Sequence, residues 1–164
     1  MSKKINPEEL KKAMRAWITG VAIVSGHHNG AVHGMTANSF NSIALSPPTV
    51  MVALRHHTRT QQLVSNGSVF GVSILNTEQV NLAKRFAGQT DTDRPRFEGV
   101  DTFTMVTHVP LIRQAMAFFD CKVVNSFDVG GTTVFLGEVL AAQNNDKGRE
   151  PLLYINREWR RLAN

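Results

Sequence analysis

The sequence predicts a mainly β domain, a barrel or a sandwich that carries a few peripheral helices. Apolar and β-branched runs of similar length recur along the chain, bounded by glycine and proline, as is typical of strands. Only two or three segments have the periodicity of a helix. The chain has 164 residues, which fits one domain over residues 1–164 and is too short for separate cofactor and substrate domains.

The N-terminal segment predicts a helix. Asn6 is a capping residue, Pro7 suits the first helical position, and the two glutamates that follow favour the positive end of the helix dipole. Apolar residues then recur at helical spacing, which predicts one buried stripe formed by Leu10, Met14, Trp17 and Ile18. We expect this helix to end at Gly20.

Six segments predict strands. Residues 21–25 and 31–34 flank the turn signal of residues 26–30, and together they predict a hairpin. The other predicted strands are 49–54, 69–75, 115–124 and 132–140.

A helix is predicted directly after the strand 69–75. Asn76 and Gln79 have the spacing of a capping box, in which the two side chains bind each other's backbone. The apolar residues of 80–87 then indicate a short helix that ends at Gly88.

The chain is modestly basic, with 18 Lys and Arg against 13 Asp and Glu, a net charge of +5. The lysines and arginines are dispersed along the sequence and do not alternate with aromatic residues. Only the net charge therefore favours nucleic-acid binding. The single cysteine, Cys121, fits a reducing compartment. The N-terminal residues have no apolar run typical of a secretory signal, and no apolar run approaches the ~20 residues that cross a bilayer. We therefore expect a soluble cytoplasmic protein that is not bound to a membrane.

The sequence lacks the motifs of several enzyme classes. No glycine motif of a Rossmann site, no P-loop and no nucleophile elbow occurs. The six histidines include no H-E-x-x-H, and one cysteine cannot complete a cysteine-rich zinc site. We expect no metal centre.

The polar stretch 34–42 separates two predicted strands. Its small residues allow backbone N–H groups to approach a flat or anionic ligand. The alternative is a solvated loop in which asparagine and serine side chains form turns.

A second polar cluster, residues 55–60, follows the strand 49–54 and precedes a predicted helical turn at 61–64. Cations and hydroxyls at the N-terminus of a helix form a phosphate site. The alternative is an ordinary N-cap, at Thr58 or Thr60, beside surface charges.

The order of these stretches resembles the flavin reductase family, whose members are NAD(P)H:flavin oxidoreductases that supply reduced flavin to two-component monooxygenases. The resemblance covers roughly residues 10 to 160. It is carried by the segments 35–40, 46–48, 55–60, 82–87, 135–139 and 151–154.

The resemblance implies a split, Greek-key β-barrel that binds FMN or FAD near the interface of a homodimer. It implies NADH or NADPH as the hydride donor and a flavin-dependent oxygenase, often an aromatic hydroxylase, as the partner. Because the cofactors carry the chemistry, no catalytic acid, base or nucleophile is expected. Two alternatives are a flavin-binding or electron-transfer protein of the same fold without NAD(P)H turnover, and a basic nucleic-acid-binding barrel.

The resemblance also assigns cofactor-binding residues. Those implied at the isoalloxazine edge and ribityl chain are Thr36, Ala37, Asn38 and Ser39. Those implied at the flavin phosphate are Arg55, His56, Thr58 and Thr60. Those implied to close over the cofactor are Phe86 and Ala87, with Arg96 and Phe97 matching an Asp-Arg-Phe motif.

Two positions depart from the family pattern. Pro95 stands where the family has the aspartate of Asp-Arg-Phe, and Thr132 stands where many members have a histidine near the nicotinamide. A threonine can hydrogen-bond a carboxamide but cannot carry a positive charge. For Phe86 and Phe97, core packing at a helix end is the alternative role.

Overall fold

The computed structural model describes residues 5–90 and 94–163. Within these ranges there are three α-helices, α1 (Pro7–Met14), α2 (Arg59–Gly67) and α3 (Val80–Phe86). A short 3₁₀ turn, Thr77–Gln79, leads into α3. None of the helices in the described ranges has the length and apolar character that a membrane span requires.

Twelve strands occur in the described ranges, and most of them belong to one large sheet. The strands are β1 (Thr19–Gly20), β2 (Ala22–His28), β3 (Ala31–Ala37), β4 (Asn41–Leu45), β5 (Pro48–Arg55), β6 (Val69–Ile74), β7 (Thr102–Phe103), β8 (Leu111–Ile112), β9 (Ala117–Val129), β10 (Thr132–Asn144), β11 (Leu153–Ile155) and β12 (Glu158–Arg160). This content confirms the prediction of a mainly β fold with few helices.

The large sheet has seven antiparallel strands in the order β3-β2-β6-β9-β10-β5-β4. Its two edge strands, β3 and β4, are consecutive in the chain and are joined by residues 38–40 alone. Such a short connection spans no more than about 15 Å, so the sheet curls until its two edges approach each other. No ladder joins β3 to β4 in the described chain, and the sheet stays open along that line.

Two smaller sheets lie beside the large one. Strands β1, β11 and β12 form a three-stranded sheet, and β7 pairs with β8. The apolar core is divided into two clusters. Val21 and Ile23 belong to one cluster, whereas Ala22 and Val24 belong to the other. Because successive side chains of a strand point to opposite faces, β2 is buried on both faces, with one cluster on each side.

The N-terminal helix begins as predicted. The Asn6 side chain accepts a hydrogen bond from the Glu8 N–H, and the Glu9 carboxylate accepts one from the Asn6 N–H. The helix ends at Met14 rather than at Gly20, because the chain then turns into β1, which pairs with β11.

The prediction of a buried stripe on this helix is wrong. No residue of α1 is buried. The stripe residues remain about half or more exposed, at 52% for Leu10, 53% for Met14, 64% for Trp17 and 49% for Ile18. Trp17 and Ile18 lie beyond the end of α1, so only Leu10 and Met14 share its face, and no described element of the chain covers that face.

The predicted hairpin is confirmed, with a shorter turn than expected. Residues 26–28 continue β2, and Asn29 and Gly30 alone form the turn, with φ of 49° and 77°. A two-residue hairpin turn favours Asn-Gly because both positions take positive φ.

The polar stretch 34–42, predicted to lie between two strands, is itself mostly strand. Residues 34–37 complete β3 and residues 41–42 begin β4, so only residues 38–40 form the connection. Small and polar residues are tolerated here because both strands are sheet edges, with one ladder neighbour each.

The remaining predicted elements are confirmed. The strands 49–54, 69–75, 115–124 and 132–140 lie in β5, β6, β9 and β10, although β9 and β10 both run further than predicted. Thr58 is the N-cap of α2, and the Asn76–Gln79 capping box closes on the 3₁₀ turn before α3. Gly88 follows α3 with a φ of 71°.

Candidate functional site

The predicted site residues lie along the edge strand β3 and around the N-terminus of α2. These two elements meet where the Thr58 hydroxyl lies 3.9 Å from the Met35 sulfur. From Met35, residues 36–39 follow along β3 and into its connection to β4. Residues 55–60 surround the start of α2. The fold therefore brings the two polar stretches of the sequence together.

The hydroxyls of Thr36 and Ser39 fix the backbone around this edge. Thr36 Oγ1 donates a hydrogen bond of 2.6 Å to the Ala83 carbonyl, which attaches α3 to β3. Ser39 Oγ donates to the Ala53 carbonyl at 2.8 Å and accepts from the Ala53 N–H at 3.2 Å. The 38–40 connection is thus tied to β5, in continuation of the pairing between β4 and β5.

Arg96 binds the outer side of β3. Its Nη1 donates to the Gly34 carbonyl at 2.9 Å and to the Phe86 carbonyl at 2.6 Å. Because backbone groups of alternate residues in an edge strand point to the same side, Thr36 is expected to direct its N–H and C=O outward as Gly34 does. The edge thereby offers backbone donors and acceptors beside α3.

Phe86 is fully buried, and its ring packs edge to face on Phe97 with centroids 4.9 Å apart. Both rings lie against Gly34, where an added Cβ would come within 2.9 Å of Phe86 and 3.0 Å of Phe97. The structure places Phe86 in the core, in agreement with the packing role. The contact of Phe86 with the cofactor stays a prediction. The next residue, Ala87, is exposed.

The N-terminus of α2 carries two exposed cations, Arg55 and Arg59. Thr58 caps the helix, accepting from the Gln61 N–H at 3.3 Å and donating to the Arg55 carbonyl at 2.9 Å. No carboxylate in the described chain forms an ion pair with either arginine. The positive end of the dipole and two unpaired guanidinium groups together favour an anion.

Thr60 is buried in the protein, although its predicted role is to bind the flavin phosphate. Its side chain is fully buried, and its hydroxyl is 2.8 Å from His33 Nδ1. Burial, followed by the positive charges of Arg96 and Arg59, lowers the pKa of His33 from 6.5 to about 4. His33 is therefore neutral at neutral pH. This histidine was not predicted for the site from the sequence, since only the packing of α2 on β3 shows its position.

His56 belongs to a hydrogen-bond network at the tip of the β9–β10 hairpin. Its Nε2 lies 3.0 Å from an Asp128 oxygen, which also accepts from the Thr133 hydroxyl at 2.7 Å. These bonds, from Thr133 first and from His56, lower the pKa of Asp128. Gln61 Nε2 donates to the Thr133 hydroxyl at 3.2 Å, so the network attaches the hairpin tip to α2.

Thr132 lies directly opposite Arg55 in the β5–β10 pairing. The neighbouring Gly131 carbonyl accepts a hydrogen bond of 2.9 Å from the His56 N–H. Thr132 is therefore beside the cations at the start of α2, while its predicted role near a nicotinamide stays a prediction.

A small cavity of about 160 Å³ opens beside the end of β3. Four of the predicted residues line it, namely Thr36, Ala37, Asn38 and Ala87. The other four lining residues were not predicted for the site, namely Val21, Gln89, Tyr154 and Trp159. They come from distant parts of the chain, and no local pattern connects them to the polar stretch.

The sequence model of a protein family, the flavin reductase like domain, matches residues 14–163 of the chain. The chain belongs to the flavin reductase family. This confirms the resemblance predicted from the ordered motifs.

Members of this family are similar to the chain over most of its length. It is 37% identical over 147 residues to the NADH-dependent flavin reductase StyB of Pseudomonas fluorescens, covering 88% of the chain and 84% of that protein. The Streptomyces globisporus C-1027 NADH:FAD oxidoreductase SgcE6, solved with NAD and FAD fragments, superposes with a TM-score of 0.87 at 31% identity, covering 99% and 98% of the two chains. The styrene monooxygenase flavin reductase of Pseudomonas putida S12 superposes with a TM-score of 0.82 at 33% identity, covering 93% and 96%.

Proposed function

We propose that this chain is an NADH-dependent flavin reductase that supplies reduced flavin to a flavin-dependent oxygenase. The names of the similar proteins support the hydride donor, the flavin and the monooxygenase partner. The observation in the fold that supports the proposal is that β3 borders the cavity beside Asn38 and, at Met35, contacts the N-cap of α2, where Arg55 and Arg59 lie.

The two places on β3 suit the two ends of a flavin mononucleotide in their chemistry. Asn38 and Met35 are three residues apart along the chain, about 10 Å in extended backbone, and Met35 contacts the N-cap of α2. The cavity end offers amide groups and outward backbone groups to a flat ring. The other end offers Arg55, Arg59 and the helix N-terminus to a phosphate.

A bound flavin supplies the acceptor for the hydride of a reduced nicotinamide, and the chain then needs no nucleophile or general base. Its residues bind and orient. In the proposal, Thr36 and Asn38 meet the ring edge, and Ser39 keeps their backbone attached to β5. Arg55 and Arg59 neutralise the phosphate. The neutral His33 holds Thr60, so that α2 keeps its place against β3.

We further propose that the curled sheet is a Greek-key split barrel and that the protein works as a homodimer. The outer half of β9, beyond its pairing with β6, has only β10 as a ladder neighbour in the described chain. Exposed apolar side chains lie there, at Val124, Phe127 and Val129. An unpaired apolar strand edge is a surface that a second copy can cover. The cytoplasmic location stays a prediction from the sequence.

The activity is tested by following the loss of NADH absorbance with FMN and with FAD, and the same with NADPH. We expect rapid NADH oxidation that depends on added flavin. Tight flavin binding without oxidation of either nucleotide would instead indicate the electron-transfer alternative. Salt-sensitive binding of DNA or RNA without flavin binding would favour the nucleic-acid alternative.

The phosphate role is tested by comparing FMN with riboflavin, which lacks the phosphate. Changing Arg55 and Arg59 to Ala should weaken FMN about 100-fold or more, because each of the two charged hydrogen bonds contributes roughly 1.5–3 kcal/mol and about 1.4 kcal/mol is tenfold. The affinity for riboflavin should be nearly unchanged. Lys122→Ala is the matched control, an exposed cation on β9 outside the site. Equal losses for both flavins would refute the phosphate role.

The role of Thr132 is tested through the nicotinamide. We expect Thr132→His to change the KM for NADH while leaving the affinity for riboflavin nearly the same. An unchanged KM would show that this residue is remote from the nicotinamide.

A further inference from the structure

Arg96 joins the strand and the helix whose ends border the cavity beside β3. One nitrogen of its guanidinium group, Nη1, donates hydrogen bonds to the Gly34 carbonyl of β3 at 2.9 Å and to the Phe86 carbonyl at the end of α3 at 2.6 Å. Within the described ranges no carboxylate forms an ion pair with this arginine. Its charge is therefore directed to two backbone carbonyls, one of them at a helix C-terminus, where a cation is favoured.

The other terminal nitrogen of Arg96 lies beside Gly88. This glycine has a φ of 71°, and a Cβ at its position would lie 3.3 Å from Nη2. The two neighbours of Gly88 in the chain, Ala87 and Gln89, both line the cavity, whereas Arg96 is not a lining residue. The guanidinium group therefore lies beside the wall that follows α3, on the backbone of that wall.

The same guanidinium group is attached to the other wall of the cavity through Gly34. Two residues further along β3 is Thr36, which lines the cavity. The Thr36 hydroxyl donates a hydrogen bond of 2.6 Å to the Ala83 carbonyl of α3. Strand and helix are thus joined at two points, and these two connections set the separation between the β3 wall and the residues that follow α3.

The segment that carries Arg96 is itself fixed on α3. Arg85 Nη2 donates hydrogen bonds of 2.7 Å to the carbonyls of Pro95 and Glu98. The Pro95 carbonyl also accepts from the Glu98 N–H at 3.0 Å, which closes a turn. A side chain that extends from a fixed turn can hold its partners within narrow limits.

We propose that Arg96 is a positioning residue for flavin reduction, which holds the two walls of the cavity at the separation that binds flavin and does not itself contact the flavin. This inference rests on the proposed function, in that flavin is taken as the ligand of the cavity. It differs from the cofactor contact that the resemblance to the family implies for Arg96. Without the two hydrogen bonds of Arg96, a bound flavin must itself order both walls, so its affinity falls.

The role is tested by comparing two substitutions of Arg96 in steady-state assays with saturating NADH. Arg96→Met keeps an apolar stem but has no donor. It should raise the KM for riboflavin about tenfold and change kcat less than about twofold, because a contribution to binding alone is lost. Arg96→Lys should keep the KM within about twofold of that of the unaltered protein, since one ammonium nitrogen can supply both hydrogen bonds.

A comparison of FMN with riboflavin shows where Arg96 acts. The two flavins should be weakened by the same factor in Arg96→Met, because the cavity and not the phosphate is affected. Riboflavin binding is also measured directly, by titration of its fluorescence without NADH, and should show the same loss.

Arg113→Met is the matched control. Arg113 is an exposed arginine that also binds a backbone carbonyl, that of Thr102 at 3.0 Å, and it does not line the cavity beside β3. Its KM for riboflavin should equal that of the unaltered protein. Circular dichroism confirms that each variant is folded at the assay temperature. An equal rise of the KM in Arg113→Met and Arg96→Met would overturn the proposal, because a general loss of stability would explain both.

Three further results would overturn the positioning role. One is an unchanged KM for riboflavin in Arg96→Met. Another is an equal rise in the Lys and Met variants, which would show that the two hydrogen bonds do not produce the effect. The third is a larger loss for FMN than for riboflavin, which would place Arg96 at the phosphate. The proposed function fails separately: the unaltered protein would then oxidise no NADH with any flavin, while the fluorescence titration would still show weaker riboflavin binding in Arg96→Met.

Discussion

At the scale of single residues, Gly34 fixes how closely the edge strand approaches the core. The rings of Phe86 and Phe97 occupy the space that a side chain would take, and the Gly34 carbonyl binds Arg96. Residues 94–97 and the end of α3 thereby reach β3 without an intervening side chain. The geometry of the cavity beside Ala87 depends on this approach.

Gly34→Ala should lower the free energy of unfolding by about 1–3 kcal/mol, because the methyl group overpacks a site bounded by two rings. The measurement is urea unfolding. Gly20→Ala is the matched control, since no atom lies within 4 Å of a Cβ at that position, and its stability should change little. A loss of similar size in both variants would contradict the packing explanation.

His33 predicts a pH dependence of stability. Its folded-state pKa of about 4 lies below the ordinary 6.5, so the unfolded chain binds this proton more readily between these values. The stabilisation is present above about pH 6.5 and is lost as the pH falls toward 4. Because the ring is only half-buried, we expect about 1 kcal/mol between pH 7.5 and 5, after discounting for solvent screening.

The measurement is the free energy of unfolding at both pH values for the unaltered protein and for His33→Gln. The variant should lose part of the pH dependence, and the control variant His28→Gln should keep it. A pH dependence that is the same in all three proteins would show that His33 does not contribute.

At the scale of elements, α2 joins the two halves of the candidate site. Its N-cap, Thr58, holds the Gln61 N–H and the Arg55 carbonyl, while Thr60 holds His33. Thr58→Ala should cost about 1 kcal/mol in unfolding free energy, as loss of an N-cap does. Gln62→Ala, an exposed change inside the same helix, should be neutral or slightly stabilising. Equal effects would contradict the capping role.

Local patterns in the sequence predicted the elements that local chemistry determines. The caps at Asn6 and Asn76, the turn at Asn29 and Gly30, and the apolar strands follow from residue type and spacing. Strand β3 was cut short because Thr36 and Ala37 have no apolar alternation, and pairing with β2 decides their conformation. A local pattern does not predict whether the apolar residues of α1 are covered, because burial depends on which other element packs on the helix.

The residues of the candidate site were likewise predictable only where a local motif contains them. The ordered motifs identified residues 36–39 and 55–60, which the fold brings together at Met35 and Thr58. The cavity-lining residues Tyr154 and Trp159 and the half-buried His33 were missed. Their positions depend on contacts between segments far apart in the chain, which no single segment encodes.

At the scale of the whole molecule, the outer half of β9 predicts the oligomeric state. Light scattering should give twice the mass of one chain. Phe127→Glu places a charge on the exposed apolar edge and should shift the mass toward one chain, with the circular dichroism spectrum unchanged. Val106→Glu, at an exposed apolar position outside the strands, should remain dimeric. A single-chain mass for the unaltered protein would refute the homodimer.

The strand order has a consequence for synthesis on the ribosome. The hairpin of β9 and β10 stands between β6 and β5, so the two halves of the sheet cannot join until residues 117–144 have been made. At roughly 5–20 residues per second, the unpaired edges of β5 and β6 wait several seconds after their own synthesis. During that interval the nascent chain consists of separate hairpins and helices. Its vulnerability to aggregation therefore lasts until β10 has been made, well into the last third of translation.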